Sequence, residues 1–154
     1  MGLVDRRPSG LVKHLFRAPV LLYRLGLGRV LGHRFAYLAH TGRRSGLRRD
    51  VVVEVARYSP DVPEVVVVAG WGDRSDWYRN LRAAPALELR VGERTWIGPD
   101  HRYLPVEEVA EVLRSYRRDH PRAWRRLARV LGVPADGGGD DAARSLPAIA
   151  FTPR

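Results

Sequence analysis

The chain has 154 residues, 45% hydrophobic and 29% charged, a balance that suits one globular domain with a single core of useful size. It contains no cysteine, which excludes disulfides, thiolate catalysis and cysteine-based zinc sites. No run approaches the roughly 18 consecutive apolar residues of a membrane span. The formal net charge is +10, and Lys13 is the only lysine, so the excess is arginine. Such a field attracts polyanions: a phosphorylated small molecule, a nucleic acid or an anionic membrane surface. Met1–Gly10 is short and polar and does not read as a signal peptide, so the cytoplasm is the expected location.

Taken in chain order, Ser9–Leu31 reads as helical, with Leu11, Leu15, Val20, Leu21, Leu25 and Val30 at roughly helical spacing and a break at Pro19. A basic amphipathic segment of this kind packs on its own domain or lies on a membrane surface. Arg34–His40 predicts a first strand and Val51–Arg57 a second. Between them runs His40-Thr-Gly-Arg-Arg-Ser-Gly-Leu-Arg-Arg-Asp50. Two glycines bracket this cationic turn, where Arg44, Arg48 and Arg49 can converge. Exposed amides, the Ser45 hydroxyl and guanidinium forks make an anion cradle. The other reading is a hairpin turn with solvated charges.

Tyr58–Pro63 is a turn rich in chain breakers, and Glu64–Ala69 is a third strand, short, apolar and therefore central. Gly70-Trp-Gly-Asp-Arg-Ser-Asp76 leads from it into a helix over Asp76–Ala83, capped by Ser75 or Asp76. Trp77, Asn80 and Leu81 share one face at i, i+3, i+4. Trp77 offers a ring to stack on and Asn80 an amide that both donates and accepts. Alternatively, Trp77 and Leu81 dock the helix in the core. Leu87–Val91 and Thr95–Ile97 alternate and form a hairpin turning at Gly92. Pro105–Asp119 and Pro121–Leu131 are helices led by proline. Ala135–Asp141 is a flexible loop by composition, and Leu146–Phe151 closes the sheet. Six mostly antiparallel strands with peripheral helices define an α+β fold built on a small barrel.

The histidines at 14, 33, 40, 101 and 120 form no HxxxH pair and have no accompanying carboxylate cluster, so no metal site is expected. There is no Gly-x-Ser-x-Gly elbow and no Walker loop. Gly26-Leu-Gly28 lacks the third glycine of a dinucleotide fingerprint and follows a helix. Asp73 and Asp76 read as caps rather than as an acid pair. A site without nucleophile or metal suits an enzyme whose cofactor carries the chemistry.

Thr41-Gly-Arg-Arg-Ser-Gly-Leu-Arg-Arg49, Trp77-Tyr-Arg-Asn-Leu81, Ala84-Pro85 and the ending Leu146-Pro-Ala-Ile-Ala-Phe151 stand in one order and spacing. Together they resemble the deazaflavin-dependent nitroreductase family, actinobacterial oxidoreductases with a split β-barrel related to FMN-binding proteins. The resemblance covers roughly residues 20 to 154. The chain departs from the family pattern at Arg44, where lysine is usual, and at Arg48, where proline is usual. It also carries Trp71 at a turn where many relatives have a small polar or basic residue.

The resemblance implies that reduced coenzyme F420 passes a hydride to a nitro group or an activated double bond of a small molecule. It implies that Arg43, Arg44, Ser45 and Arg49 bind the coenzyme's phosphate and acidic tail. Asp50, Val51, Val52 and Val53 would run beside the ring. Val68, Ala69, Gly70 and Trp71 would line the opposite edge, with Asp76, Trp77 and Asn80 closing from the short helix. Tyr116 is the nearest match to a proton donor; the plainer reading is a tyrosine that packs its helix. FMN is the alternative coenzyme. A nucleic-acid-binding module is the alternative of a different class, disfavoured because the arginines are spread through the whole chain and no recognition motif is present. Split barrels commonly pair across an open face, so a homodimer is a further expectation.

Overall fold

The computed structural model of the protein describes residues 18–26, 28–132, 134–135 and 143–154. Its centre is one curled antiparallel sheet of seven strands in the order β5-β4-β1-β2-β3-β7-β6. The strands are β1 (Phe35–Thr41), β2 (Arg48–Ser59), β3 (Glu64–Val68), β4 (Glu88–Val91), β5 (Arg94–Ile97), β6 (Asp100–Tyr103) and β7 (Ala148–Thr152). The two edge strands β5 and β6 are consecutive in sequence, joined only through Gly98 and Pro99. The sheet therefore curls until its edges meet at that corner, and the barrel is split between them.

The helices that accompany the sheet include α1 (Ala18–Arg24), α2 (Asp76–Ala83), α3 (Val106–Asp119) and α4 (Pro121–Leu131). The fold is the expected α+β split barrel, with one strand more than expected. β6, Asp-His-Arg-Tyr, has no hydrophobic alternation because it is a polar edge strand that pairs only with β7. Within the predicted segment at 9–31, α1 is followed at Gly28–Leu31 by a short 3-10 helix, after Gly26 turns the chain at φ 76°. Residues 9–17 and most of the predicted loop at 135–141 lie outside the described residues. No helix among the described residues is long and apolar enough to cross a membrane.

Alternation of side chains along the strands builds two cores. Leu38, Val53, Val55, Val65, Val67, Leu89, Val91, Ile149 and Phe151 fill the barrel together with Trp77 and Leu81 of α2. On the outer face Val66, Ala148 and Ala150 meet Val109, Leu113, Tyr116 and Trp124 of α3 and α4. β3 is thus covered on both faces, which is why it reads as a continuous apolar run. The alanines of β7 leave room for the helices. On β1, Tyr37 and Ala39 form a third cluster with Val20 and Tyr23 of α1.

β2 serves two ladders in succession. Its residues 48–54 pair with β1, while 55–59 pair with β3, with a register shift between Val55 and Arg57 that leaves Ala56 bulged. Such a bulge bends the strand and re-aims what precedes it. The β2–β3 ladder ends at Val55↔Val67, and β3 continues as Ala69, whose amide bonds to Pro147 O at 2.9 Å. β2 and β3 therefore part beyond that pair, and a small cleft lies between Glu54 and Ala56 on one side and Val68 and Gly70 on the other.

Leu38 is fully buried, whereas Leu47 on the same hairpin is 61% exposed. Chemical denaturation is expected to show Leu38→Ala losing about 2–5 kcal/mol, from lost transfer energy plus the cavity. Leu47→Ala should stay within about 0.5 kcal/mol of the parent.

Candidate functional site

The loop Gly42–Leu47 joins β1 to β2 above the pair Thr41↔Arg48. It is closed by Gly42 N donating to Leu47 O and Gly46 N donating to Gly42 O, each at 2.8 Å. Gly46 sits at φ 67°, a left-handed conformation that a side chain would strain. Leu47 N donates to Ser45 Oγ at 3.3 Å. The loop is therefore a hairpin closed by its own backbone, a form that both readings of it allow.

What holds it to the barrel is α2. Asn80 Oδ1 accepts from the Arg43 backbone amide at 3.1 Å and from Arg43 Nη1 at 2.9 Å. The Arg43 guanidinium also donates to Asp76 Oδ1 at 3.2 Å. Since Asn80 Oδ1 is the acceptor, its Nδ2 is the donor to His40 Nδ1 at 3.0 Å. That assigns the ring proton of a neutral His40 to Nε2. His40 is 4% exposed, and desolvation lowers its pKa from 6.5 to about 4, with Arg49 adding to the shift. Asn80 is 5% exposed, and its amide oxygen and nitrogen are both bonded within the protein.

The four arginines of this loop and its strand then divide. Arg43 is held by Asp76 and Asn80. Arg48, which the sequence reading let converge on the cradle, is turned away by Glu88, whose Oε2 lies at 2.6 Å. Glu88 is buried; burial opposes its charge, but bonds from Arg90 and Arg48 outweigh that and keep its pKa lowered. Arg44 and Arg49 are exposed and have no hydrogen bond or ion pair among the described residues. Asp50 is taken by Arg24 at 2.6 Å and by the Tyr37 hydroxyl at 3.1 Å.

The remaining expected site residues fall in two places. Asp50–Val53 precede the cleft-lining Glu54 on β2 and pair with β1 alone, so the other edge of this segment carries backbone groups outside any ladder. Val53 faces the barrel core and Val52 packs beneath α1. Val68 and Gly70 line the cleft with Glu54, Leu113 and Tyr116, around a half-open space of about 40 Å³. Ala69 is buried. That space holds a water or two, and a tricyclic ring would have to lie over the cleft rather than inside it.

Trp77 is 9% exposed and belongs to the barrel core, the docking role that was the alternative for it. Its rings are covered by protein. Ser75 occupies the N-cap position of α2 but makes no capping bond. Its Oγ is buried with no partner among the described residues. Tyr116 is 2% exposed, and its hydroxyl donates to Glu54 Oε1, which also accepts from Arg34 at 3.2 Å. Burial, then Glu54, raises the pKa of this phenol well above its ordinary value. Its proton is thus held by Glu54.

A second, larger cavity of about 540 Å³ lies on the other side of α2. Gly70, Trp71 and Arg74 of the β3–α2 turn form one wall, Tyr78 of α2 another, and Leu104 and Val109 a third. Sequence reasoning placed only Gly70 and Trp71 near such a space. The other walls come from residues far apart in the chain, and no local pattern marks them.

The molecule is thus a split barrel whose clamped hairpin carries two exposed guanidinium groups next to a strand edge outside any ladder. A family model described as F420H(2)-dependent quinone reductase matches residues 15–130. The chain belongs to that family; it is an oxidoreductase, and its coenzyme is F420. Among solved structures, one described as a domain-swapped dimer aligns with a TM-score of 0.53 at 17% identity, covering 86% of this chain and 98% of its own. The structure of an F420-H2 dependent reductase, FDR-A, aligns at 0.51 and 18% identity, covering 78% and 95%. The protein Atu2129, of unknown function, from Agrobacterium tumefaciens str. C58 aligns at 0.51 and 15% identity, covering 88% of this chain and 55% of its own. These likenesses establish the fold. No curated protein matches the chain.

Two outcomes follow from the clamp. Asn80→Ala strands the Arg43 amide and the His40 ring, and thermal melting of the coenzyme-free protein should register a loss of about 1–3 kcal/mol. The depressed pKa of His40 means that the unfolded chain takes up the proton first as pH falls. The stability it contributes is full above about pH 6.5 and is lost toward pH 4, amounting to about 3 kcal/mol. A nuclear magnetic resonance titration should find His40 still neutral at pH 5; protonation near 6.5 would contradict the buried clamp.

Proposed function

We propose that this protein transfers a hydride from reduced F420 to a small electron-poor acceptor, a quinone or a nitroarene, bound in the 540 Å³ cavity. The observation that carries the reading is the pair Arg44 and Arg49. Their side chains stand exposed with no hydrogen bond or ion pair among the described residues, on a hairpin whose Arg43 and Arg48 are each taken by an acceptor of the protein. The arrangement suits the phosphate and acidic tail of the coenzyme, since guanidinium forks recognise such oxyanions and here need not give up a protein partner.

When bound, the coenzyme supplies the hydride. The chain's own residues do the rest. Arg44, Arg49 and Ser45 hold the anionic tail. The open edge of Asp50–Val53 offers backbone donors and acceptors to a ring lying over the cleft, with Val68 and Gly70 opposite. Asn80 and Asp76 act through Arg43, which they hold in place, and Trp77 anchors α2 in the barrel. Trp71 forms a wall of the acceptor cavity, whose volume falls in the usual range for small-molecule sites. Residues 1–154 work as one domain in this reading. The neighbour described as a domain-swapped dimer supports a homodimer, which light scattering on the purified protein reads directly.

The test is oxidation of reduced F420, followed by its absorbance, with a naphthoquinone and with a nitroarene. Turnover with either acceptor above the enzyme-free rate supports the reading, and none with both refutes it. Arg44→Ala and Arg49→Ala should each weaken coenzyme binding roughly tenfold at low salt, a typical loss for a charge-assisted contact. The loss should shrink as salt screens the wild type. Equal affinity in both variants at low salt would rule out the hairpin as the anion cradle.

A further inference from the structure

Four tyrosines of the described structure are buried: Tyr23, Tyr37, Tyr78 and Tyr116. Three of them give their hydroxyl proton to a protein acceptor. Tyr23 donates to Phe35 O at 2.7 Å, Tyr37 to Asp50 Oδ2 at 3.1 Å and Tyr116 to Glu54 Oε1. Tyr78 does not. Its oxygen accepts from Arg82 Nη1 at 3.3 Å, and among the described residues its own proton has no acceptor. A buried hydroxyl normally finds a partner for its proton. Tyr78 also lines the 540 Å³ cavity.

Helical geometry explains the placement. Asp76 and Asn80 meet the hairpin, and Trp77, Tyr78 and Leu81 belong to the barrel core. Tyr78 sits at the border of that core, where it also lines the cavity and meets Arg82 one turn on, at i, i+4. There Tyr103 of β6 packs edge-on to Tyr78 with ring centres 5.6 Å apart, and Arg82 lies 5.3 Å from the Tyr103 ring centre. The ring of Tyr78 is fixed by its neighbours, while its O–H has no acceptor among the described residues.

We infer that Tyr78 is the proton donor to the acceptor, with Arg82 as its positioning residue. The inference rests on the proposed hydride transfer to a molecule in this cavity. As the hydride forms a C–H bond at a carbon conjugated to a carbonyl, the displaced electron pair moves onto the carbonyl oxygen. The O–H bond of Tyr78 breaks and its proton goes to that oxygen. The acceptor gains two electrons and the coenzyme loses them. The phenolate left behind lies against the Arg82 guanidinium and regains a proton from water.

The test has two arms. In the first, coenzyme-free protein is titrated with 1,4-naphthoquinone and followed by quenching of tryptophan fluorescence, because Trp71 also lines the cavity. Tyr78→Phe removes one oxygen and should weaken quinone binding about fivefold, the value of one hydrogen bond. In the second, turnover with reduced F420 should fall about a hundredfold in Tyr78→Phe, as for loss of a general acid. The coenzyme dissociation constant should stay within about twofold of wild type. Arg82→Gln leaves the phenol in place and should lower turnover less, which keeps the question open to test should Tyr78→Phe not fold. Quinone affinity and turnover both retained in Tyr78→Phe, or turnover unchanged in Arg82→Gln, would overturn the inference. A wild-type protein that binds no F420 would instead refute the proposed function, and the quinone titration would still decide whether Tyr78 meets a cavity ligand.

Discussion

The hydrogen bond from Asn80 to His40 is the constraint on which the site depends. Both groups are buried, so each must find its partner inside the protein, and an unpaired one costs far more than the bond yields. Burial keeps His40 neutral, and only the neutral ring has a nitrogen that accepts from the Asn80 amide. With its nitrogen committed, Asn80 turns its oxygen to the Arg43 amide. One side chain thereby sets the end of β1, the entrance of the hairpin and the rotation of α2. That rotation in turn delivers Tyr78 and Arg82 to the far side.

Charge is distributed by the same logic. A net charge of +10 suggests arginines in excess everywhere, yet many are engaged locally. Arg57, Glu64, Arg102 and Glu108 form a network between 2.7 and 3.4 Å that ties β2, β3, β6 and α3 together. Arg24, Arg34, Arg48 and Arg90 each meet a carboxylate. Exposed pairs of this kind contribute little singly, but they remove cations from the pool that competes for an anionic ligand. Arg44 and Arg49 meet no carboxylate among the described residues, and unlike Arg94 and Arg122, which share that state, they sit together on the clamped hairpin.

Much of this was legible in the sequence where the signal is local. The apolar run of β3, the helix at Asp76–Ala83 and the hairpin turning at Gly92 follow from periodicity and turn chemistry. β6 was not legible, since a polar edge strand has no pattern to read. The side-chain outcomes on α2 were open for a different reason. Asn80 and Trp77 look alike whether they meet a ligand or the protein, and what decides between these is His40 and Arg43, nearly forty residues away. The engagement of Arg48 by Glu88 is equally long-range. Tyr78 lay inside a recognised motif, but the fact that matters, a proton without an acceptor, exists only in three dimensions.

The central claim is that Asn80 acts on the coenzyme through the hairpin and not by touching it. A double-mutant cycle on the F420 dissociation constant measures this directly. Asn80→Ala is introduced into the wild type and into the Arg44→Ala, Arg49→Ala double variant. If Asn80 only holds the arginines in place, it should weaken binding in the wild type and add nothing once they are gone. The same fold-loss in both backgrounds would mean that Asn80 contacts the coenzyme itself, and would contradict its role as a clamp on the hairpin.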